Sequence, residues 1–145
     1  PSAELGMVGP DKDGSLSAAK KYAQKHSLPV KFTGKLKKKE WIKLSAGYDI
    51  FINSSDIDNT PVSVIEAMAL GLPVVSTNVG GIPYLIEEGK TGLLVAPRDP
   101  EAMKAKIIFL LENQEKAKFF AHEGRQKIKE FDWELIKEKW NKVLT

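Results

Sequence analysis

Residues 48–81 read YDIFINSSDIDNTPVSVIEAMALGLPVVSTNVGG, and this stretch predicts how the chain folds. It begins with a strand at 50–53, continues through a polar loop into a short helix at 62–70, turns at Gly71 and returns as a strand at 74–77. A strand, a helix and a second strand in this order form the crossover unit from which parallel sheets are built. We therefore expect a parallel sheet with helices packed against it.

The predicted helix is apolar on almost every face, and Glu66 is its one acidic residue. A helix that is apolar all round is usually buried. A buried carboxylate is costly unless it is paired or lines a polar cleft. Glu66 is therefore the first candidate for a functional residue. The alternative is an acid that nearby backbone or hydroxyl groups satisfy.

The loop before this helix predicts an anion-binding site. Asn59 or Thr60 can cap the helix through a side-chain oxygen, and Pro61 suits the first helical position, which needs no amide hydrogen. The amides of the first turn would then be free at the carboxyl end of the preceding strand, and they belong to Val62, Ser63 and Val64. Ligands bind at that edge in open α/β sheets, and free helix amides attract phosphate.

Several motifs around this site follow one another in a characteristic order. Seven residues separate Asp58 from Glu66. After Glu66 come Ala-Met-Ala at 67–69, Gly-Leu-Pro-Val-Val at 71–75, Gly-Gly at 80–81 and Thr-Gly-Leu-Leu-Val at 91–95. This pattern resembles the C-terminal, nucleotide-sugar-binding half of retaining glycosyltransferases of the GT-B fold, family 4, the glycosyl transferases group 1. The chain departs from that pattern where Asp58 and Tyr84 stand in place of two usual glutamates.

The resemblance implies a role for each candidate residue. Glu66 would hydrogen-bond the ribose hydroxyls of a sugar nucleotide, and Asp58 would contact the donor sugar and the charge that builds at its anomeric carbon. The turn Gly34, Lys35 and Leu36 would bind the base. Backbone amides would contact the sugar and phosphates from Asn59, Thr60, Pro61, Val62 and Ser63. The alternatives are a capping aspartate at 58, an ordinary strand-to-helix loop at 34–36 and plain helix capping at 59–63.

The resemblance also implies the chemistry. A hexose would move from a nucleotide-diphosphate sugar to an acceptor with retention of configuration, without a metal or other cofactor, in cell-surface polysaccharide or lipopolysaccharide synthesis. The location implied is the cytoplasm, or the inner face of the membrane for a peripheral protein. The chain has no cysteine and two histidines that are far apart in sequence, so the residues themselves predict neither a disulfide nor a thiol or histidine metal site.

The order of predicted elements indicates a Rossmann-like, doubly wound α/β sheet with flanking helices. Further strands are expected at 4–8, 30–33 and 91–95, and further helices at 15–26, 38–46, 82–88 and 100–113. Compared with the family, the first strand and helix of the domain are lacking. Either the strands at 4–8 and 50–53 close up into one five-stranded sheet, or another chain fills the slot between them.

Two regions are expected in this chain. Residues 1–114 would form the nucleotide-sugar-binding domain, and residues 115–145 would form two helices that pack on it. The last helix begins at Asp132 as its cap and carries a stripe of Trp133, Ile136, Trp140 and Val143. This stripe packs either on its own domain or on an N-terminal acceptor-binding domain that is missing from this chain.

Charge adds little to the choice of partner. The formal net charge of +3 does not indicate nucleic acid. The lysines at 37–39 are best read as a solvated helix start, with binding to phosphate or to an anionic membrane surface as the minor alternative. The function predicted is the donor-binding half of a glycosyltransferase, inactive as an isolated fragment. One alternative is a non-catalytic nucleotide-binding or scaffold module. A flavodoxin- or receiver-like domain would need an acidic cluster or flavin loop that the sequence lacks.

Overall fold

The computed structural model describes residues 3–144, which form five strands and seven helices. The strands are β1 Leu5–Val8, β2 Val30–Gly34, β3 Phe51–Asn53, β4 Val74–Thr77 and β5 Leu93–Val95. The helices are α1 Ser15–Lys25, α2 Lys38–Ser45, α3 Val62–Ala69, α4 Ile82–Leu85, α5 Pro100–Glu112, α6 Gln114–Ile128 and α7 Trp133–Leu144, with a 3₁₀ turn at Lys129–Phe131 between the last two. Each predicted strand and helix is present, and the Rossmann-like α/β class is confirmed.

The chain divides into two compact units, Pro1–Leu44 and Ser45–Thr145. In the first unit β1 and β2 form a parallel two-stranded sheet. In the second, β3, β4 and β5 form a parallel three-stranded sheet in that order. One of the two expected arrangements was a single five-stranded sheet, and the described strands do not form it. The predicted boundary at residue 114, between a nucleotide-sugar-binding domain and two C-terminal helices, stays a prediction.

The centre of the second unit is β4, whose four residues are all buried. Neither face of this central strand meets water, and its two polar residues, Ser76 and Thr77, are buried with hydrogen-bond partners in β3 and the loop after it. Val75 of β4 lies in register with Leu93 of β5 and packs with it against Leu110 of α5 and Phe120 of α6. These four side chains form the core that holds the helices to the sheet.

Helix α6 packs against α3 at Gly124. A β-carbon at this position would lie 3.0 Å from the carbonyl oxygen of Thr91 and 3.3 Å from Cε of Met68. The absence of a side chain therefore lets the two helices approach closely. Met68 itself is completely buried on α3, together with Val64 and Ala67.

Helix α7 begins at the predicted cap, because the Asp132 carboxylate accepts a hydrogen bond from the amide of Glu134 at 2.9 Å. None of its described side chains is buried. Trp133 and Trp140 of the predicted stripe are 65% and 56% exposed. Ile136 of the same stripe is half-buried, and the choice between the two expected packing arrangements stays a prediction. Among residues 3–144, no helix is both long and apolar enough to span a bilayer.

Truncation of Met68 to alanine tests the α3–α6 contact. We expect Met68→Ala to lower the free energy of unfolding by about 2–5 kcal/mol, because it removes a fully buried side chain and leaves a cavity. The control is Val143→Ala, because Val143 on α7 is 76% exposed. This variant should change the free energy of unfolding by less than about 0.5 kcal/mol. Denaturant unfolding measures both, and equal effects of the two variants would contradict the packing described.

Candidate functional site

The candidate site lies where the chain leaves β3, β4 and β5. Because the three strands are parallel, the loops that follow them, residues 54–61, 78–81 and 96–99, lie at one edge of the sheet. That edge is where open α/β sheets bind ligands. Asp58 belongs to the first of these loops, and Glu66 belongs to α3, which follows it.

Side chains from β3 and β4 fix the start of the first loop. The Asn53 amide donates to the Ser76 hydroxyl at 3.0 Å, and the Ser55 hydroxyl donates to Oδ1 of Asn53 at 2.9 Å. The Thr77 hydroxyl donates to the carbonyl of Ser55 at 2.6 Å. The Ser55 hydroxyl also lies 3.5 Å from a carboxylate oxygen of Asp58. A hydroxyl has a single proton, so the shorter contact to Asn53 is the stronger bond and that to Asp58 is weak.

The double glycine after β4 packs directly on the same loop. The amide of Gly81 donates to the carbonyl of Asp58 at 3.2 Å. A β-carbon on Gly80 would lie 1.7 Å from the carbonyl oxygen of Asp58, and one on Gly81 would lie 1.6 Å from that of Asn59. No other residue fits at either position without moving the loop. The double glycine therefore joins the loop after β4 to the loop after β3.

Helix α3 begins differently from the prediction. Pro61 is itself the N-cap residue, buried and extended, and no side chain caps the helix, so capping by Asn59 or Thr60 is wrong. Proline at the N-cap position has no side-chain oxygen that could accept an amide. The expectation that the amide of Val64 is free is also wrong, because the carbonyl of Pro61 accepts the amides of Val64 and Ile65, at 3.0 and 3.2 Å.

The first two amides of α3 remain available for a ligand. Within residues 3–144, the backbone amides of Val62 and Ser63 donate no hydrogen bond to another part of the chain. Both residues are exposed. Two free amides at the positive end of a helix form an arrangement that binds phosphate or another anion.

The two candidate acids are half-buried rather than fully buried. Glu66 lies in the second turn of α3, beside the buried Ala67. The expectation of a buried carboxylate is therefore met only in part, because the face of the helix that bears Glu66 is not covered completely. The structure brings the predicted residues of the second unit together on one loop and one helix, and they are Asp58, Asn59, Thr60, Pro61, Val62, Ser63 and Glu66.

The predicted base-binding turn belongs to the first unit. Gly34 is the last residue of β2 and has a φ of 69°, a left-handed conformation that favours glycine. Lys35 is exposed, and Leu36 is half-buried. The three residues therefore form a tight turn at the carboxyl end of a parallel strand.

Three contributors to the site were missed from the sequence. Ser55 and Thr77 are ordinary hydroxyl residues whose pairing depends on the register of β3 and β4. Arg98, in the loop after β5, donates through Nε to the Asp56 carboxylate at 3.0 Å. These partners are 22 and 42 positions apart, and no local pattern indicates such a contact.

Other features of unit two do not belong to this site. A groove of about 430 Å³ is lined by Glu88, Gly89, Leu93, Ala105, Lys106, Phe109, Lys116 and Phe120. It lies where β5 begins, whereas the site loops lie where the strands end.

Residues 3–144 contain no group of three or more histidine, aspartate or glutamate side chains arranged to hold a metal ion. Transfer without a metal stays a prediction.

The chain is similar to known proteins in both sequence and structure. The family model described as glycosyl transferases group 1 matches residues 1–127. Sulfoquinovosyl transferase SQD2 of Arabidopsis thaliana is 37% identical over 109 residues, which are 73% of this chain and 21% of that protein.

Two solved structures resemble the chain over almost all of its length. Sucrose-phosphate synthase from Thermosynechococcus elongatus aligns with a TM-score of 0.89 and 27% identity, over 97% of this chain and 37% of that chain. HepE of Anabaena in complex with UDP-glucose aligns with a TM-score of 0.87 and 25% identity, over 99% of this chain and 41% of that chain. The chain thus spans less than half the length of each of these relatives.

Replacing Gly81 by alanine tests the contact between the two loops. Gly81 has an ordinary φ of −88°, so its alanine variant suffers only the clash with the carbonyl of Asn59. We expect Gly81→Ala to destabilise the protein by about 1–3 kcal/mol, because the loop must move. Thermal unfolding, with amide chemical shifts of Asp58 and Asn59, measures the effect.

Gly71→Ala provides a comparison for backbone strain. Gly71 has a φ of 79° and open space around its α-carbon, so alanine there destabilises the protein only through the left-handed backbone conformation. It should leave the amide chemical shifts of Asp58 and Asn59 unchanged. A Gly81→Ala protein with wild-type stability and shifts would show that the loop does not depend on this glycine.

Proposed function

This chain belongs to the glycosyl transferases group 1 family, and we propose that it is the donor-binding half of an enzyme that transfers a hexose from a nucleotide-diphosphate sugar. The observation that carries the proposal is the edge formed by the loops after β3 and β4. There the two free amides of Val62 and Ser63 adjoin a loop bearing Asp58 and a helix bearing Glu66. An anion-binding helix start beside two carboxylates suits a ligand that has both phosphates and hydroxyl groups.

Glu66 is proposed to bind the ribose. A carboxylate accepts two hydrogen bonds from vicinal hydroxyl groups, and such charge-assisted bonds are stronger than neutral ones. Its half-buried position on α3 supports this role, because the carboxylate stays accessible while water around it is reduced. Base binding by the turn at Gly34, Lys35 and Leu36 stays a proposal that rests on the family motif.

Asp58 is proposed to act on the donor sugar. It would bind sugar hydroxyls and stabilise the positive charge that develops at the anomeric carbon as the diphosphate leaves. Asp58 is one methylene shorter than the glutamate that the family motif usually has there. Its backbone carbonyl is held by Gly81, so the shorter side chain starts from a fixed position.

The remaining parts of the proposal concern the whole protein. Transfer would retain the anomeric configuration and use no metal, since helix amides and basic side chains meet the diphosphate charge. The acceptor would bind to an N-terminal domain that is missing from this chain, and the exposed tryptophan face of α7 would pack on that domain. The product would be a cell-surface polysaccharide or lipopolysaccharide, made in the cytoplasm or at the inner face of the membrane.

Nucleotide titration of the full-length protein tests the ribose assignment. We expect one of UDP, GDP and ADP to bind, and Glu66→Ala to weaken that binding about ten- to hundredfold, the range for loss of a hydrogen bond to a charged group. Isothermal calorimetry measures both affinities, and thermal unfolding shows that the variant is folded. Glu112→Ala on the exposed face of α5 removes the same charge and should bind normally.

Each result of this titration has a defined meaning. Wild-type affinity in Glu66→Ala would show that the ribose lies elsewhere. Binding of no nucleotide by the full-length protein would contradict the donor-binding proposal. A protein that binds nucleotide but transfers no sugar, either before or after Asp58→Glu, would be the non-catalytic nucleotide-binding or scaffold module.

The isolated 145-residue chain should not transfer sugar. The acceptor and the remaining catalytic groups are proposed to come from the missing domain, so proximity and orientation are lost. Release of nucleoside diphosphate from the bound sugar nucleotide, compared with release by the full-length protein, measures this. Equal rates for the two proteins would overturn the prediction.

A further inference from the structure

An ion pair joins two of the loops at the candidate site. Nε of Arg98, in the loop after β5, lies 3.0 Å from Oδ2 of Asp56, in the loop after β3. Asp56 is two residues before Asp58. The loop that carries the proposed sugar-binding acid is therefore tied to the third strand of the sheet as well as to the second.

Arg98 has an unusual backbone conformation for this role. Its φ is 60°, and within the described chain only Ser27 shares a positive φ among residues other than glycine. A β-carbon disfavours the left-handed region, which glycine and asparagine adopt most readily. The chain thus has a long cationic side chain at a position where the backbone alone would favour a small residue. The observed side-chain partner is the Asp56 carboxylate.

The backbone next to Arg98 is firmly anchored. The carboxylate of Asp99 caps α5 by accepting a hydrogen bond from the amide of Ala102 at 2.9 Å. The backbone carbonyl of Asp99 accepts a hydrogen bond from the amide of Met103 at 3.1 Å. Helix α5 in turn buries Leu110 in the core. Arg98 therefore reaches Asp56 from a fixed point.

The partner loop is held only at intervals. Ser55 is held through its carbonyl by Thr77, and Asp58 is held through its carbonyl by Gly81. Between them, Ile57 is 92% exposed and gives the loop no packing. The described contact of this middle segment with the rest of the second unit is the one from Arg98 to Asp56.

We propose that Arg98 is a positioning residue, whose ion pair with Asp56 holds the loop at 54–61 so that Asp58 meets the donor sugar. The positioning role rests on the proposed function, whereas the loop-holding contact does not. The Arg98 and Asp56 side chains are 82% and 49% exposed. Loss of such an exposed pair should therefore change hydrogen exchange and ligand affinity a few-fold rather than abolish binding. Salt screens such a pair, so its effect also falls as ionic strength rises.

The test uses Arg98→Asn in the full-length protein. Asparagine tolerates the left-handed backbone, so this variant removes the guanidinium without adding backbone strain. We expect hydrogen exchange of the Gly81 amide, which donates to the carbonyl of Asp58 in this loop, to become about two- to fivefold faster at low salt. Affinity for the sugar nucleotide that binds in calorimetry should fall about two- to fivefold, while affinity for its nucleoside diphosphate stays unchanged. A general defect in the structure would instead weaken the binding of the sugar nucleotide and of the nucleoside diphosphate to a similar extent.

Two further variants sharpen the result. Arg125→Gln removes one positive charge from the exposed surface of α6 and should change neither exchange nor affinity. The exchanged pair Asp56→Arg with Arg98→Asp should restore slow exchange and sugar-nucleotide affinity, because it rebuilds the pair with opposite polarity.

The outcomes separate this inference from the proposed function. Unchanged exchange in Arg98→Asn would show that the ion pair does not hold the loop. Faster exchange with an unchanged ratio of the two affinities would overturn the positioning role. If the wild type binds no sugar nucleotide, the proposed function and the positioning role both fail, and exchange alone then decides whether Arg98 holds the loop.

Discussion

The close contact between the glycines at 80–81 and the carbonyls of Asp58 and Asn59 is the constraint on which the site depends. Backbone meets backbone here, at distances that leave no room for a β-carbon. The contact holds Asp58 and Asn59, which lie just before the start of α3. Since α3 carries both the free amides and Glu66, the anion site and the acid lie directly after the segment that this contact holds.

Around that contact, the second unit combines a rigid base with a partly open edge. β4 is buried along its length, Leu110 of α5 and Phe120 of α6 pack against the sheet, and Met68 of α3 lies beside Gly124 of α6. The loops at the carboxyl edge have fewer ties, and those ties are mostly single hydrogen bonds or an exposed ion pair. This division is typical of a binding site, in which a packed scaffold carries loops that a ligand contacts.

Much of the fold could be predicted because its signals are local. Alternating strands and helices, the valines that begin β4 and the aspartates that cap α5 and α7 all lie within a few residues of the feature they indicate. The start of α3 was predicted less well. Asn59 and Thr60 are good capping residues, but the helix begins after the buried Pro61, which has no side-chain oxygen to cap it.

The sequence by itself therefore determined the parallel α/β class, the order of the elements and the residues Asp58 and Glu66 as candidates, because periodicity and motif spacing are properties of short segments. Only the tertiary structure decided that the described strands form two sheets, that Gly80 and Gly81 pack on the acidic loop and that Arg98 reaches Asp56. Those contacts join residues more than 20 positions apart, and their geometry depends on the packing of whole strands and helices rather than on any local preference.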